Sequence, residues 1–560
     1  MSETAITHTS DSTKSVGNKF IYFLVNVFLL FLSVFLFAFS QPNAVSLKGF
    51  PFLAYIAFVP FFILLRRISF GASFLWSAFY GLFCYCVFTY WLGTFHPVAM
   101  YVIGSLYFCY LLVVGPLLKL ADMFFPRKGF IIQWIIWVGY EYIKTLGFTG
   151  FSYGIIGYSQ WSWPVIIQIA SLFGVWGVSA LVSFPSAWIA GGLKEKCTGT
   201  IKDWFGNFSV FAREHALSGC IWCVAFTGTI VFGLLSPLDY SQNATVKVAL
   251  IQPNSDPWLG GLNAYQRDFN TLKRLSDAAL KENPGIDMVV WPETAFIPRI
   301  AWHYRYREEP ESYELVSRFL SYINSASVPF VVGNDDAVMA RTYDGTMGRV
   351  DYNAVLVFHP GEDVIPPEPE RYRKIHLVPF TEYFPYQKQF PDIYKLLVEN
   401  DTHFWEKGTE PKVFSVADLH FSTPICFEDT FGYLSRLFVR NGARAIVNLS
   451  NDAWANNTPC QYQHLSMAVF RAVENRVPLV RATASGQTCI IDPNGKIVAM
   501  AEPFTETSLI GDIPVMTDAS STPYTIYGDL IGKIFAVLGF LFLVIGLLTK
   551  IIRKTKIRKV

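Results

Sequence analysis

The feature that most restricts this chain is its apolar opening: from about residue 20 to about residue 235 the sequence is almost continuously hydrophobic. No soluble domain of that size buries so much apolar surface without a polar exterior, so the run belongs in a bilayer. A membrane-spanning helix needs roughly 20 apolar residues. On that measure the run holds seven candidates: Ile21–Phe39, Phe50–Leu65, Phe74–Trp91, Met100–Leu118, Gly129–Ile143, Val165–Leu193 and Leu217–Leu235. An eighth, Leu530–Leu548, stands near the end of the 560 residues. The first could be a cleaved signal peptide, but its apolar core exceeds the roughly 7–15 residues such peptides use. A retained helix is expected.

Basic residues then orient the segments. Lys14 and Lys19 precede the first, and Arg66-Arg67, the group Lys119, Arg127 and Lys128, and the group Lys194, Lys196, Lys202 and Arg213 fall in alternate loops on that same side. The tail from Lys550 to Lys559 joins them if there are eight helices. It also admits a reading as a nucleic-acid patch, but beside a membrane helix an anchor on the positive side fits better. Both ends are expected in the cytoplasm, with the soluble part outside. The overall 52% hydrophobic and 16% charged composition hides this division. The expected layout is a polar, disordered segment over 1–19, a membrane domain over 20–240, a soluble domain over 241–525, a closing membrane helix over 526–552 and a basic tail over 553–560.

One outer loop, from Glu141 through Tyr153 and Tyr158 to Trp163, is rich in glycine and aromatics. It reads either as an interfacial aromatic belt or as a lipid-facing wall beside an active site.

From Thr245 the pattern changes to alternating strands and helices. Strands are expected at Val246–Pro253, Asp287–Trp291, Pro329–Gly333, Asn353–His359, Ala443–Leu449, Pro478–Ala482 and Thr488–Ile491. Helices are expected at Tyr265–Lys281, Glu308–Ala326, Thr430–Asn441 and Gln461–Arg476. That alternation over nearly 300 residues indicates a layered α/β domain with its own core. Asp492-Pro-Asn-Gly495 marks a hairpin turn.

Within it, an extended segment from Phe414 to Ile425 runs into Cys426, with Glu428 and Asp429 close behind. A thiol at a strand end is held rigidly yet reaches a cleft. Glu293 ends its own apolar strand directly after Trp291-Pro292, where an unpaired carboxylate is costly to bury. Lys374 follows Tyr372-Arg. Taken singly, Cys426 reads as a core thiol, Glu293 as a strand-end surface glutamate and Lys374 as an exposed lysine. Of nine cysteines, Cys84, Cys86, Cys109, Cys197, Cys220 and Cys223 lie in or near apolar helices without metal-ligand spacing and read as small apolar residues. The outer domain holds Cys426, Cys460 and Cys489, an odd number that leaves at least one unpaired. Whether Cys460 and Cys489 pair stays open.

Together these residues resemble those of apolipoprotein N-acyltransferase, a membrane-embedded family of the nitrilase superfamily. The resemblance runs over nearly the whole chain. It is carried by Trp291-Pro-Glu293-Thr, by Lys374-Ile-His-Leu-Val-Pro-Phe-Thr-Glu382-Tyr-Phe-Pro385, by Cys426-Phe-Glu428 and by Leu449-Ser-Asn451-Asp-Ala-Trp454. Gln463-His464, Arg471-Ala472, Arg481-Ala-Thr-Ala-Ser-Gly486, the loop Gly150–Gln160 and Gly174-Val-Trp-Gly-Val-Ser179 follow in order. It implies a polytopic membrane domain of about eight helices joined to an αββα nitrilase-like sandwich. It implies a Glu-Lys-Cys triad at Glu293, Lys374 and Cys426, with Glu382, Glu428 and Phe427 in support of the site and the oxyanion. Trp454, Tyr383, Tyr153, Trp258 and Asn451 become candidate substrate contacts. Thr381, Phe427 and Ser152-Tyr153 depart from residues common in the family, at the edge of the site.

The implied reaction moves an acyl chain from a phospholipid, through a Cys426 thioester, to the α-amine of a diacylglyceryl-modified apolipoprotein. The implied setting is a bacterial inner membrane with a periplasmic catalytic domain, a monomer using no metal, cofactor or nucleic acid. Two competing readings share some of these features: a tethered nitrilase-type amidase, and a non-catalytic lipoprotein-binding membrane protein.

Overall fold

The structure is a computed structural model. It describes residues 4–95, 98–193, 201–256, 260–342, 345–399, 403–516 and 521–557. The side chains of 4–18, 95, 201–207, 454, 556 and 557 lie outside that description, as does all of Trp258.

The apolar opening folds into α1 (Thr4–Ser40), α2 (Val59–Arg67), α3 (Phe70–Phe88), α4 (Ala99–Phe124), α5 (Gly129–Ile143), α6 (Ala170–Gly192) and α7 (Ala216–Leu235). Helix α1 runs through much of the segment expected to be disordered, but its apolar span begins at Lys19.

Among the described residues six helices, not eight, are long and apolar enough to cross a bilayer: α1, α3, α4, α6, α7 and the closing helix Leu530–Ile557. The candidate Phe50–Leu65 is broken instead. Pro51 starts a short 3-10 turn ending at Tyr55, and Pro60 lies in the first turn of α2. Nine residues of helix rise only about 14 Å, and the 15 of α5 about 22 Å, against roughly 30 Å of hydrocarbon.

Small residues let the helices close on one another, as expected where lipid removes any hydrophobic drive for association. A Cβ on Gly139 of α5 would lie 2.8 Å from the Ala536 Cα of the closing helix. The apolar faces left over point outward: only 11% of the α7 span and 17% of the closing span are buried.

The domain that follows is built on two six-stranded sheets. The strands of the first are β1 (Thr245–Gln252), β2 (Met288–Val290), β3 (Phe330–Arg341), β4 (Met347–Phe358), β5 (Glu370–Arg373) and, far along the chain, Thr507–Pro514. That last strand lies antiparallel beside β1, and the order is completed by β2, β3, β4 and β5. The second sheet takes β6 (Phe414–Val416), β7 (Leu419–Ser422), β8 (Ala445–Ser450), β9 (Leu479–Thr483), β10 (Cys489–Ile491) and β11 (Ile497–Met500) in the order β11-β10-β9-β8-β7-β6. The segment Phe414–Ile425 is therefore not one extended strand. It turns at Ala417, whose φ is 49°, and pairs with itself as the hairpin β6–β7. The hairpin read at Asp492–Gly495 joins β10 and β11.

The sheets face each other through Val248, Leu250, Val290, Val331 and Val355 from the first and Phe421, Val447, Leu449 and Val480 from the second. Helices α8 (Gly261–Glu282) and α9 (Pro310–Asn324) cover the first sheet's outer face, burying Phe269, Leu272, Leu275, Phe319 and Ile323 at helical spacing. Helices α10 (Gly432–Arg440) and α11 (Thr458–Asn475) cover the second. This is an αββα sandwich, and its fourth layer is unusual. Sixteen residues of α11 are buried, because the helix packs on the sheet with one face and on the membrane helices with the other. The membrane domain and the sandwich share one core.

Candidate active site

Three strand ends of the two sheets meet over the seam between them. Glu293 follows β2 and is 6% exposed. Its Oε1 accepts from Asn353 Nδ2 at 2.8 Å, and its Oε2 accepts the backbone N–H of Asn451 at 2.8 Å. Lys374 follows β5 and is 1% exposed; its Nζ donates to Glu382 Oε1 at 2.6 Å and to Glu293 Oε1 at 3.4 Å. Neither is the surface residue that composition alone suggests. Burial alone would lower the Lys374 pKa, but the Glu382 and Glu293 carboxylates outweigh it and raise it above the ordinary lysine value. Lys374 is a fixed ammonium, a donor and not a base.

Cys426 follows β7. A bridge between Ile425 and Leu449 carries the parallel pairing of β7 and β8 up to the residue before the thiol. Cys426 then turns into the left-handed region at φ 50°, the start of a 3-10 turn to Thr430. A non-glycine residue there costs of order 1 kcal/mol or more and persists only when its surroundings impose it. Asn448 imposes it, donating its side-chain amide to the carbonyls of Pro424 and Cys426 at 3.1 and 3.2 Å. The thiol is half-buried and free, as are the buried thiols of Cys460 and Cys489. Burial and then the Glu293 charge push Cys426 well above the ordinary thiol pKa, while Lys374 pulls it down.

Glu428 is fully buried and does not face the thiol. It accepts the backbone N–H groups of Ile375 and His376 at Oε1 and of Ile425 at Oε2, all at 2.8 Å, and the Tyr372 hydroxyl at 2.9 Å. It ties the Cys426 turn to the chain that carries Lys374. Burial pushes it up while those donors pull it back, leaving a pKa of about 7. Asn451 and Asn353 hold Glu293 in the same way. Asn353 was not anticipated as a site residue; the signal was a polar residue heading the apolar half of β4, Ala354 to Phe358.

The aromatic loop of the membrane domain closes the site's other side. The Phe151 ring lies 6.5 Å from Phe427 and stacks on Tyr153 at 4.8 Å. Tyr153 is 5% exposed, 5.7 Å from Trp91 and 6.5 Å from the His464 ring. Tyr383 lies apart, with Lys407 Nζ 4.1 Å over its ring. Trp454 sits in a short 3-10 turn, Ala453–Ala455, with its side chain outside the described residues; Trp258 is wholly outside them.

One group of metal-ligating types, Asp335, Asp351 and His403, brings its atoms within 4.8 Å of one another. Arg299 bridges both carboxylates at 2.8 Å, so the group is compensated by a cation of the chain itself.

Residues 247–520 match the profile of the carbon-nitrogen hydrolase family, and residues 33–188 that of the apolipoprotein N-acyltransferase N-terminal domain. Among curated relatives, apolipoprotein N-acyltransferase 1 of Treponema denticola is 47% identical, over 97% of this chain and 100% of that one. The protein of the same name from Treponema pallidum is 48% identical, over 93% and 95%. The apolipoprotein N-acyltransferase of Geobacter metallireducens is 32% identical, over 89% and 91%.

Proposed function

The chain belongs to the apolipoprotein N-acyltransferase family, a membrane-embedded bacterial enzyme that acts on lipoproteins, and on that premise we propose that Glu293, Lys374 and Cys426 carry its acyl transfer. The supporting observation is a buried ammonium and a buried carboxylate, 3.4 Å apart, that both act on a half-buried thiol held in a strained turn.

The thiol's raised pKa decides the first step. A resting thiolate is scarce, so Glu293 takes the Cys426 proton as the sulfur attacks the ester carbonyl of a phospholipid. The oxyanion that forms is met by the Lys374 ammonium and by the Phe427 backbone N–H, which follows the nucleophile directly. As the carbonyl re-forms, the carbon–oxygen bond to the lysophospholipid breaks, and protonated Glu293 returns its proton to that oxygen. A thioester stays on Cys426. In the second half Glu293 accepts a proton from the α-amine of a diacylglyceryl-cysteine as the amine attacks the thioester; the carbon–sulfur bond breaks, the Cys426 sulfur takes that proton back from Glu293, and an amide is formed. Glu382 holds Lys374 in place, and Glu428 holds the turn. The packing of Phe151 and Tyr153 against the turn keeps water from the thioester and lets both lipid-anchored substrates arrive from the bilayer.

Six crossings among the described residues, an even number, put both termini on one side and the sandwich on the other, and the basic tail after the closing helix supports a cytoplasmic side for the termini and the periplasmic side of the inner membrane for the sandwich. All the site residues come from one chain, which acts as a monomer.

The test is mass analysis of purified full-length enzyme with phospholipid, before and after a diacylated lipopeptide is added. An acyl adduct on Cys426 that then passes to the peptide amine is expected, and Cys426→Ser yields neither. An adduct on Cys460 or Cys489, or transfer by the serine variant, overturns the assignment. Free fatty acid without amide product favours a tethered hydrolase instead.

A further inference from the structure

Behind the nucleophile turn lies a second group of charges that these steps do not use. Asp429 belongs to the same turn as Cys426 and is fully buried. Its Oδ1 accepts His464 Nε2–H at 2.7 Å, and its Oδ2 is paired with the Arg481 guanidinium. Asp452, just past β8, closes the group from the other side. Its Oδ2 accepts from Arg481 at 3.2 Å, and its Oδ1 lies 3.3 Å from His464 Nδ1. The four side chains are at most 5% exposed.

Desolvating four such groups costs several kcal/mol each before pairing, and well-packed apolar residues commonly replace buried ion pairs at no loss of stability. Stability alone therefore does not account for the group, whereas its attachments do. Asp429 is three residues from Cys426 in one turn. Asp452 follows Asn451, whose N–H holds Glu293, and it accepts the Ser450 hydroxyl at 3.0 Å. Ser450 also lies beside Cys426 and lowers its pKa. His464 and Arg481 join the carboxylate on the nucleophile's turn to the one beside the base's support.

Charge is balanced as well. Burial and Arg481 each act to lower His464, but the Asp429 and Asp452 carboxylates raise it to about 9, so the imidazole is cationic at neutral pH. Burial would raise Asp452, yet the His464 and Arg481 cations hold it at about 2. Two cations thus face two carboxylates. The other groups packed here are Tyr153 from the membrane loop, Cys460 on α11 and Cys489 on β10; burial raises both thiols and keeps them neutral. Cys426 itself faces Glu293, Lys374 and Asp452.

We infer that Asp429, Asp452, His464 and Arg481 form a charge-balanced clamp that fixes the Cys426–Glu293 separation and, through its zero net charge, sets how readily Cys426 loses its proton. They are positioning residues. The catalytic consequence rests on the reading of Cys426 as nucleophile; the effect on the thiol does not.

The test is the rate of iodoacetamide alkylation at the Cys426 peptide of the full-length enzyme in detergent, at about pH 7.5. Asp452→Asn leaves His464 on its 2.7 Å bond to Asp429, so the clamp carries one excess positive charge and alkylation is expected to speed up about tenfold, while His464→Gln leaves one excess negative charge and slows it about tenfold. The double variant D452N/H464Q, with Arg481 left against Asp429, is neutral again and is expected to return to the wild-type rate. A merely structural role moves both single variants in one direction, and that result overturns the clamp, as does a double variant that fails to return. Where a single variant does not accumulate, the double variant decides: wild-type reactivity supports the clamp, and failure to accumulate overturns it. Alkylation needs no acyl transfer, so loss of the acyl-enzyme reading leaves this result standing, and the reverse also holds.

Discussion

Glu428 accepts the backbone N–H of His376 at 2.8 Å, across from the turn that presents Cys426. With Ile375 and Ile425 donating to the same carboxylate, the glutamate is a staple between two site segments from different sheets. Glu428→Gln puts an NH2 donor against N–H donors and forces the two segments apart. The expected result is a fall in kcat of about 10- to 100-fold at little-changed KM, since a displacement of about 1 Å suffices for such losses. Steady-state kinetics with a diacylated lipopeptide measure it, and a wild-type kcat rejects the staple.

Lys374 sits between two carboxylates and leans toward Glu382, at 2.6 Å against 3.4 Å to Glu293. Glu382→Gln frees the ammonium to close on Glu293 and tie up the base. Acyl-enzyme formation is expected to slow about tenfold. Lys374→Met removes the proposed oxyanion donor and is expected to cost about 10²- to 10³-fold. Quenched-flow mass analysis of the acylated enzyme separates the two, and a lysine variant no slower than the glutamine variant would remove Lys374 from the oxyanion.

The strand ends were legible because each carries a local signature: an apolar β-rich run ending in a polar residue at Glu293 and again at Cys426. The layered α/β character was legible in the strand–helix alternation, whereas the αββα sandwich came with the family resemblance. What escaped was whatever depends on distant partners. Asp429 reads as the start of a helix, yet it is fully buried by His464 and Arg481, 35 and 52 positions away. Phe414–Ile425 reads as one strand because the turn at Ala417 carries neither glycine nor proline; the pairing of Phe414 with Phe421 forces it. Strand Thr507–Pro514 went unread, and it forms only by pairing with β1, some 260 residues earlier. The second membrane candidate failed on its prolines, which cost little locally when neighbouring helices bury the broken ends.

The junction of the two domains can be tested at Gln463. Its Nε2 donates to the carbonyls of Pro42 and Phe88, at 2.9 and 3.1 Å, and its Oε1 accepts Trp91 Nε1–H at 2.9 Å. Gln463→Ala takes that partner from two carbonyls and one indole in a buried seam. Each buried group left unsatisfied costs about 1–3 kcal/mol. A drop of several degrees in the thermal midpoint of the detergent-solubilised enzyme is expected, with Cys426 still alkylated in the folded fraction. An unchanged midpoint would mean that the seam does not depend on this side chain.

Stability against pH isolates His464. Its folded pKa, about 9, lies above the 6.5 of a free histidine, so the folded state binds the proton more tightly than the unfolded one. The stabilisation is fully present below about pH 6.5 and is lost as pH rises through about 9. Glu428 and Glu474 confuse the lower part of that window, because burial raises both to about 7 and they too lose stability on ionising. The difference between wild type and His464→Gln removes them, since both proteins carry both glutamates. Thermal midpoints in detergent, taken from pH 5.5 to pH 9.5, are expected to show a gap that is constant at the acid end and narrows as pH climbs from about 6.5 toward 9. A gap that stays constant across the whole range would mean that the imidazole binds its proton no more tightly in the folded protein than in the unfolded one.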